Sequence, residues 1–277
     1  MLYVLMAAAA IAMIVGVVKM KQGFEWGKQL AIAGAVLVLV FAGVRIVNQM
    51  GGNRLSRNEV AALQDRELTY QEVAAETLGQ HLVSQMDSGA AVVVRPIDMG
   101  YENESIEAKI RGLEKAFEDK VTIEKVMAPE LPEEIQRQIE QMKADFAEHS
   151  DGEEMPPDMM GPMTEMADAE QFNRMFRDLP AGIELVIFLV DFPYDMERMS
   201  IWSMKDRPTV AGVVNMVQPK MAAAIRQGFI SAMVLTRPDG DFKSMDVPKK
   251  LDEAFARRFI LVTPENIAEI GARYEGM

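Results

Sequence analysis

The sequence predicts an α/β protein in two parts: an N-terminal two-helix transmembrane hairpin, then a doubly wound, mostly parallel, three-layer α/β domain. Three observations carry this reading. Met1 to Val18 holds no charged side chain, and neither does Leu30 to Val44. With their flanks these runs give spans of about 1–18 and 29–47, each close to the roughly 20 residues that cross a bilayer core. Downstream, short apolar β-branched runs alternate with stretches that repeat apolar residues at helical spacing. That alternation is the mark of a parallel sheet buried on both faces by crossover helices. Residues 1–48 are accordingly the hairpin, 49–86 a linker and helical stretch, and 87–277 the α/β domain.

In the hairpin, Ala8, Ala12 and Gly16 recur at a spacing of four and face a similar stripe, Ala31 and Ala35, in the second span. Small residues so placed let helix backbones approach closely in lipid. Phe24 and Trp26 occupy the connecting loop at headgroup level. The loop also holds Lys19, Lys21 and Lys28, which favours its retention in the cytoplasm and an extracytoplasmic domain. Arg45, Arg54 and Arg57 pull the other way. The first span lacks the basic n-region of a signal peptide. The chain thus reads as an integral membrane protein with the bilayer as its first partner.

After Gly51-Gly52-Asn53, a polar helical stretch runs from Ser56 to Met86, with a break expected near Thr69 and Val73, Leu78, Leu82 and Met86 as its buried stripe. Ala90 to Val94 is a buried strand. Asn103 or Ser105 caps a helix that turns Ile106, Ile110, Leu113 and Phe117 inward. Val121 to Val126 is the second strand. Pro132 opens another helix, with Ile135, Ile139, Met142 and Phe146 on one face. Phe172, Met175, Phe176 and Leu179 restore helical spacing. Glu184 to Val190, Thr209 to Val214, Ser231 to Thr236 and Arg258 to Val262 complete the strands, with a helix from Pro219 to Phe229. The passage Pro219 to Pro238, a helix followed by Gly228 and a returning strand, resembles a short piece of a type I periplasmic binding-protein lobe. That resemblance covers some twenty residues and implies a fold, with no function attached.

Composition narrows the chemistry. A net charge of −13 argues against a nucleic-acid binder, which needs a basic face. The absence of cysteine removes disulfides and thiolate sites, and two histidines, His81 and His149, are few for an imidazole centre. The strand-to-helix turns lack the glycines of a phosphate loop, and there is no Gly-x-Ser-x-Gly elbow. No cofactor is implied. In an open parallel sheet ligands bind beyond the carboxyl ends of the strands. There Arg95 and Arg237 offer planar forks for an anionic group, and Asp191 and Asn215 offer hydrogen bonds; Asp98, Tyr194, Asp195, Gln218, Asp239 and Asp241 lie at the same strand ends.

The sequence favours a non-catalytic module that recognises a partner protein or small ligand as an accessory of a membrane assembly. An enzyme working through Asp191 and Asp195 is the alternative. The third reading is copper handling. The insertion at about 150–167 is acidic and methionine-rich, and His149, Met155, Met159, Met160, Met163 and Met166 are soft ligands suited to Cu(I). With 23 methionines spread along the chain, gap filling and an adaptable contact surface account for them too. A protein partner, or a second copy, would meet this acidic loop or the hairpin.

Overall fold

The computed structural model describes residues 57–97, 103–149, 167–214 and 219–273. The hairpin at 1–48 and most of the methionine-rich insertion lie outside the described residues. The chain divides into two compact units, Met1–Ala62 and Leu63–Met277; the second carries the sheet. Its elements are α1 (Arg57–Val83, begun in the first unit), β1 (Gly89–Val94), α2 (Glu104–Phe117), β2 (Val121–Met127), α3 (Glu133–His149), α4 (Ala169–Phe176), β3 (Leu185–Phe188), β4 (Thr209–Val214), α5 (Pro219–Arg226), β5 (Ala232–Thr236), α6 (Leu251–Arg258), β6 (Phe259–Val262) and α7 (Ile267–Arg273). Two short 3₁₀ turns, Met196–Arg198 and Ser200–Ser203, bridge β3 and β4.

The six strands form one sheet in the order β2-β1-β3-β4-β5-β6. Every neighbouring pair is parallel except β5 and β6, which run antiparallel. The winding reverses between β1 and β3: the chain leaves β1 outward to β2, then returns across it to build β3, β4 and β5. This is a mostly parallel α/β sheet, wound both ways.

Side-chain alternation along each strand supplies two separate cores. Val92, Val94, Val186, Phe188, Val210, Val214, Met233 and Leu235 face one way and pack with Ile139 of α3, Phe172, Met175 and Phe176 of α4, Met221 and Ile225 of α5, and Ile267 and Ile270 of α7. Ala91, Val93, Leu185, Ile187, Ala211, Val213, Ala232 and Val234 face the other way, against Tyr70, Leu78 and Leu82 of α1 and Ile106, Leu113 and Phe117 of α2. The central strands are buried on both faces, which is why they read as unbroken apolar runs.

Local signals account for most boundaries. The Asn103 Oδ1 accepts from the Ile106 N–H at 3.2 Å and starts α2. Asp168 and Gln171 form a reciprocal capping box at α4. The expected break at Thr69 does not occur. The Thr69 hydroxyl donates to the Asp65 carbonyl at 2.8 Å, one turn back, so the residue is accommodated within a continuous α1. The stripe expected on α3 is only half covered: Ile139 is buried, but Met142 is 38% exposed. The last strand begins at Phe259, and Arg258 instead ends α6 with its side chain inside the protein.

That side chain is 1% exposed. Its Nη1 donates to Glu67 Oε2 at 2.6 Å and its Nε to the Asp241 carbonyl at 3.1 Å. The guanidinium lies 3.6 Å from the centre of the Tyr70 ring. Burial opposes ionisation of Glu67, but hydrogen bonds from Arg258 and Arg66 outweigh it and hold the carboxyl below its usual range.

Helices α1 and α2 meet at backbone distance. A Cβ placed on Gly112 would stand 2.3 Å from the Glu72 carbonyl oxygen and 2.9 Å from the Glu76 nitrogen. Beside this crossing Lys115 donates to Glu76 at 2.7 Å. In Gly112→Ala, the gain in helix propensity is about 1 kcal/mol. Forcing two packed backbones apart costs up to about 3 kcal/mol. The clash wins, and urea unfolding should show a net loss of about 2 kcal/mol; an unchanged midpoint would mean the helices part freely.

Candidate functional site

The winding reverses between β1 and β3, and it is beyond the carboxyl ends of strands at such a reversal that doubly wound sheets take their ligands. The backbone stays ordered beyond the ladder: the Leu189 N–H donates to the Val94 carbonyl and the Arg95 N–H to the Met127 carbonyl, both at 2.8 Å. Three strands therefore deliver their next residues to one edge in fixed register. Arg95 follows β1 and is half-buried; Asp191 follows β3 and is half-buried too.

A residue that the strand ends do not announce interacts with Asp191. Lys109, on the second turn of α2, is 5% exposed. Burial pushes its ammonium down to about 8, with the negative charge of Asp191 partly offsetting that effect. A charge held this deep is costly to the fold, and groups so perturbed concentrate at working sites. Its signal is present in the sequence: position 109 is three residues past Ile106 and four before Leu113, inside the buried arc of α2. Beside Arg95 a cleft of about 970 Å³ opens, bordered by Glu107, Ile110, Gln136, Glu140 and Lys143. It offers charges of both signs beside the apolar side chains of Ile97, Leu131 and Ile139.

The other strand-end residues are tied into the scaffold. Arg237 donates from Nε and Nη2 to the two oxygens of Asp239, each at 3.0 Å, and from Nη1 to the Ala256 carbonyl at 2.8 Å. It follows β5, three strand spacings or about 14 Å from β1, so its fork and that of Arg95 do not form one clamp. Asp195 accepts from the Ala169 N–H at 2.8 Å, at the start of α4, and from Arg198 at 3.3 Å. Asp241 accepts from the Ser244 hydroxyl and from the N–H groups of Ser244 and Lys243, which draw its carboxyl down to about 2. Asp98, Asn215, Gln218 and the five methionines of the proposed copper set lie outside the described residues, as does the side chain of His149. Among the described residues no three His, Asp or Glu side chains gather as a metal site, and no helix is long and apolar enough to cross a membrane.

No protein-family model matches the chain. No curated protein matches it either. Among solved structures, it is similar to a carbohydrate transporter solute-binding protein from Agrobacterium radiobacter in complex with D-arabinose, at 12% identity and a TM-score of 0.44, covering 75% of this chain and 62% of that one. It is also similar to AraP, an arabinose-binding protein from Geobacillus stearothermophilus, at 10% identity and a TM-score of 0.41, over 72% of this chain and 62% of that one. A third is the XylFII–LytSN complex, at 13% identity and a TM-score of 0.39, over 70% of this chain. The chain spans about 60% of the length of these structures.

Proposed function

We propose that the α/β domain is a non-catalytic recognition module that binds a small polar ligand in the β1/β3 crevice, and that residues 1–48 tether it to a membrane with the domain on the extracytoplasmic side. One observation carries the ligand-binding reading: a lysine kept buried at the reversal point of a doubly wound sheet, against Asp191. In this reading Arg95 and Lys109 take an acidic group of the ligand, and Asp191 accepts from its hydroxyl or amino donors. Arg237 serves the crevice indirectly by fixing the turn after β5. Asn215, which follows β4, completes the set expected at the strand ends. The acidic insertion and the hairpin are then the surfaces offered to a protein partner of a membrane assembly.

The full-length protein in detergent, screened by thermal shift against small hydroxy acids, amino acids and sugar phosphates, tests the site. A ligand that raises the melting temperature should lose at least about tenfold in affinity in Arg95→Gln and in Lys109→Met, the loss of one charge-assisted hydrogen bond being worth about 1.5–3 kcal/mol. Binding that survives both substitutions would move the site elsewhere. The tether has its own test, helped by the absence of native cysteine. A Lys249→Cys probe on an exposed loop should react with a membrane-impermeant maleimide in intact cells. Protection until lysis would place the domain in the cytoplasm.

A further inference from the structure

A second concavity, of about 370 Å³, lies between the 3₁₀ turns and α5, and shares no lining residue with the cleft beside Arg95. Its wall is Trp202, with Met196 and Phe229 beside it. The indole is locked in place. Its Nε1 donates to the Met196 carbonyl. Phe192 packs at 6.2 Å between ring centres, and Phe229 meets the indole edge-to-face at 6.0 Å and 78°. Arg207 stands 4.7 Å over Phe229 and fixes that ring in turn. The hollow exists because α5 presents Ala223 and Ala224 opposite the indole, where larger side chains would fill it.

The rim decides the kind of occupant. Lys220 donates to both oxygens of Glu197, at 2.8 and 2.9 Å, so each of the two charges at the opening is already paired. Gln227 adds an amide that both donates and accepts. Small apolar pockets with one or two polar groups bind rings of matching size. A polyol would strand most of its hydroxyls on this lining, and an anion would lose its hydration for a neutralised lysine. We propose that this pocket stacks the face of a neutral one- or two-ring heteroaromatic molecule on Trp202, with Gln227 hydrogen-bonding its polar edge.

The chain has two tryptophans, so Trp26→Phe in the full-length protein leaves Trp202 as the only indole reporter. Benzimidazole is the probe, titrated at a pH where it is neutral, with methyl β-glucoside as the comparison. Saturable quenching by benzimidazole is expected. Ala223→Leu should weaken it at least about tenfold by filling the hollow. Gln227→Leu, a change in the exposed turn after α5, should weaken it about fivefold by removing one hydrogen bond. A thermal melt confirms that each variant is folded. Three results would overturn the assignment: no saturable change up to millimolar probe, unaltered binding in both variants, or equal binding of the glucoside.

Discussion

Arg258→Ala is expected to lower the unfolding free energy of the α/β domain by about 3 kcal/mol, through lost packing of a fully buried side chain and its charge-assisted hydrogen bonds. Glu67 is half-exposed and so is not left as a buried charge. The side chain joins parts of the chain far apart in sequence: Glu67 and Tyr70 on α1, and the Asp241 carbonyl before α6. Its loss leaves the Glu67 carboxylate with Arg66 alone and opens a hole over the Tyr70 ring. For a domain of about 200 residues this shifts the melting temperature by about 10 °C. The acid limb should change as well. A carboxyl held below its ordinary value adds stability above that value and loses it as the pH falls through the folded one. Glu67 is such a group, so the variant should lose less stability between neutral pH and pH 3 than the parent. A melting point unchanged at pH 7 would show that the burial of Arg258 contributes nothing net.

Lys109→Met should do the opposite at neutral pH and stabilise the fold. Burial lowers this ammonium from 10.5 to about 8. Below pH 8 both folded and unfolded chains carry the proton, and the folded state bears the whole cost of the buried charge. Between about 8 and 10.5 the unfolded chain binds the proton and the folded one does not, so stability rises with pH across that window. The interval corresponds to about 3 kcal/mol. Methionine keeps the aliphatic stem and drops the charge, so a gain of about 1–3 kcal/mol at pH 7 is expected, with the rise above pH 8 abolished. Asp191 is half-exposed and has other interactions, so it does not become a stranded charge. Chemical denaturation at pH 7 and pH 9.5 reads both effects. A large destabilisation by Lys109→Met would assign the lysine to the architecture and remove the main support for the crevice as a binding site. Stabilisation with loss of ligand is the signature of a residue retained for its task.

The fold was legible where the code is local. Thr209–Val214 is a β-branched run bounded by Pro208, and it forms β4 over the residues expected. Asn103 caps α2 because its side chain reaches only three residues ahead. Long-range features were not legible. Arg258 looked like the first residue of a strand, since its partner Glu67 lies 191 positions away. The antiparallel direction of β6 follows from the short route through α6, and strand composition does not carry it. The candidate site was legible in residue type more than in partnership. Arg95 and Asp191 stand on adjacent strands, whereas Arg237 is engaged by Asp239, two positions along its own turn. Lys109 is not marked by the apolar members of the α2 stripe, although it falls within their arc.

The strand order also has a consequence in time. Ala91 of β1 pairs with Leu185 of β3, 94 positions later (185 − 91). A ribosome adding about 5–20 residues per second takes about 5–20 s to supply that partner. Over the last 58 of those positions (185 − 127) β1, α2 and β2 are complete, yet the inner hydrogen-bonding edge of β1 is open and both of its faces are apolar. The nascent chain thus presents a sticky half-sheet for seconds, and a trigger-factor-like holdase that covers it would raise the yield of folded protein without altering the stability of the finished domain.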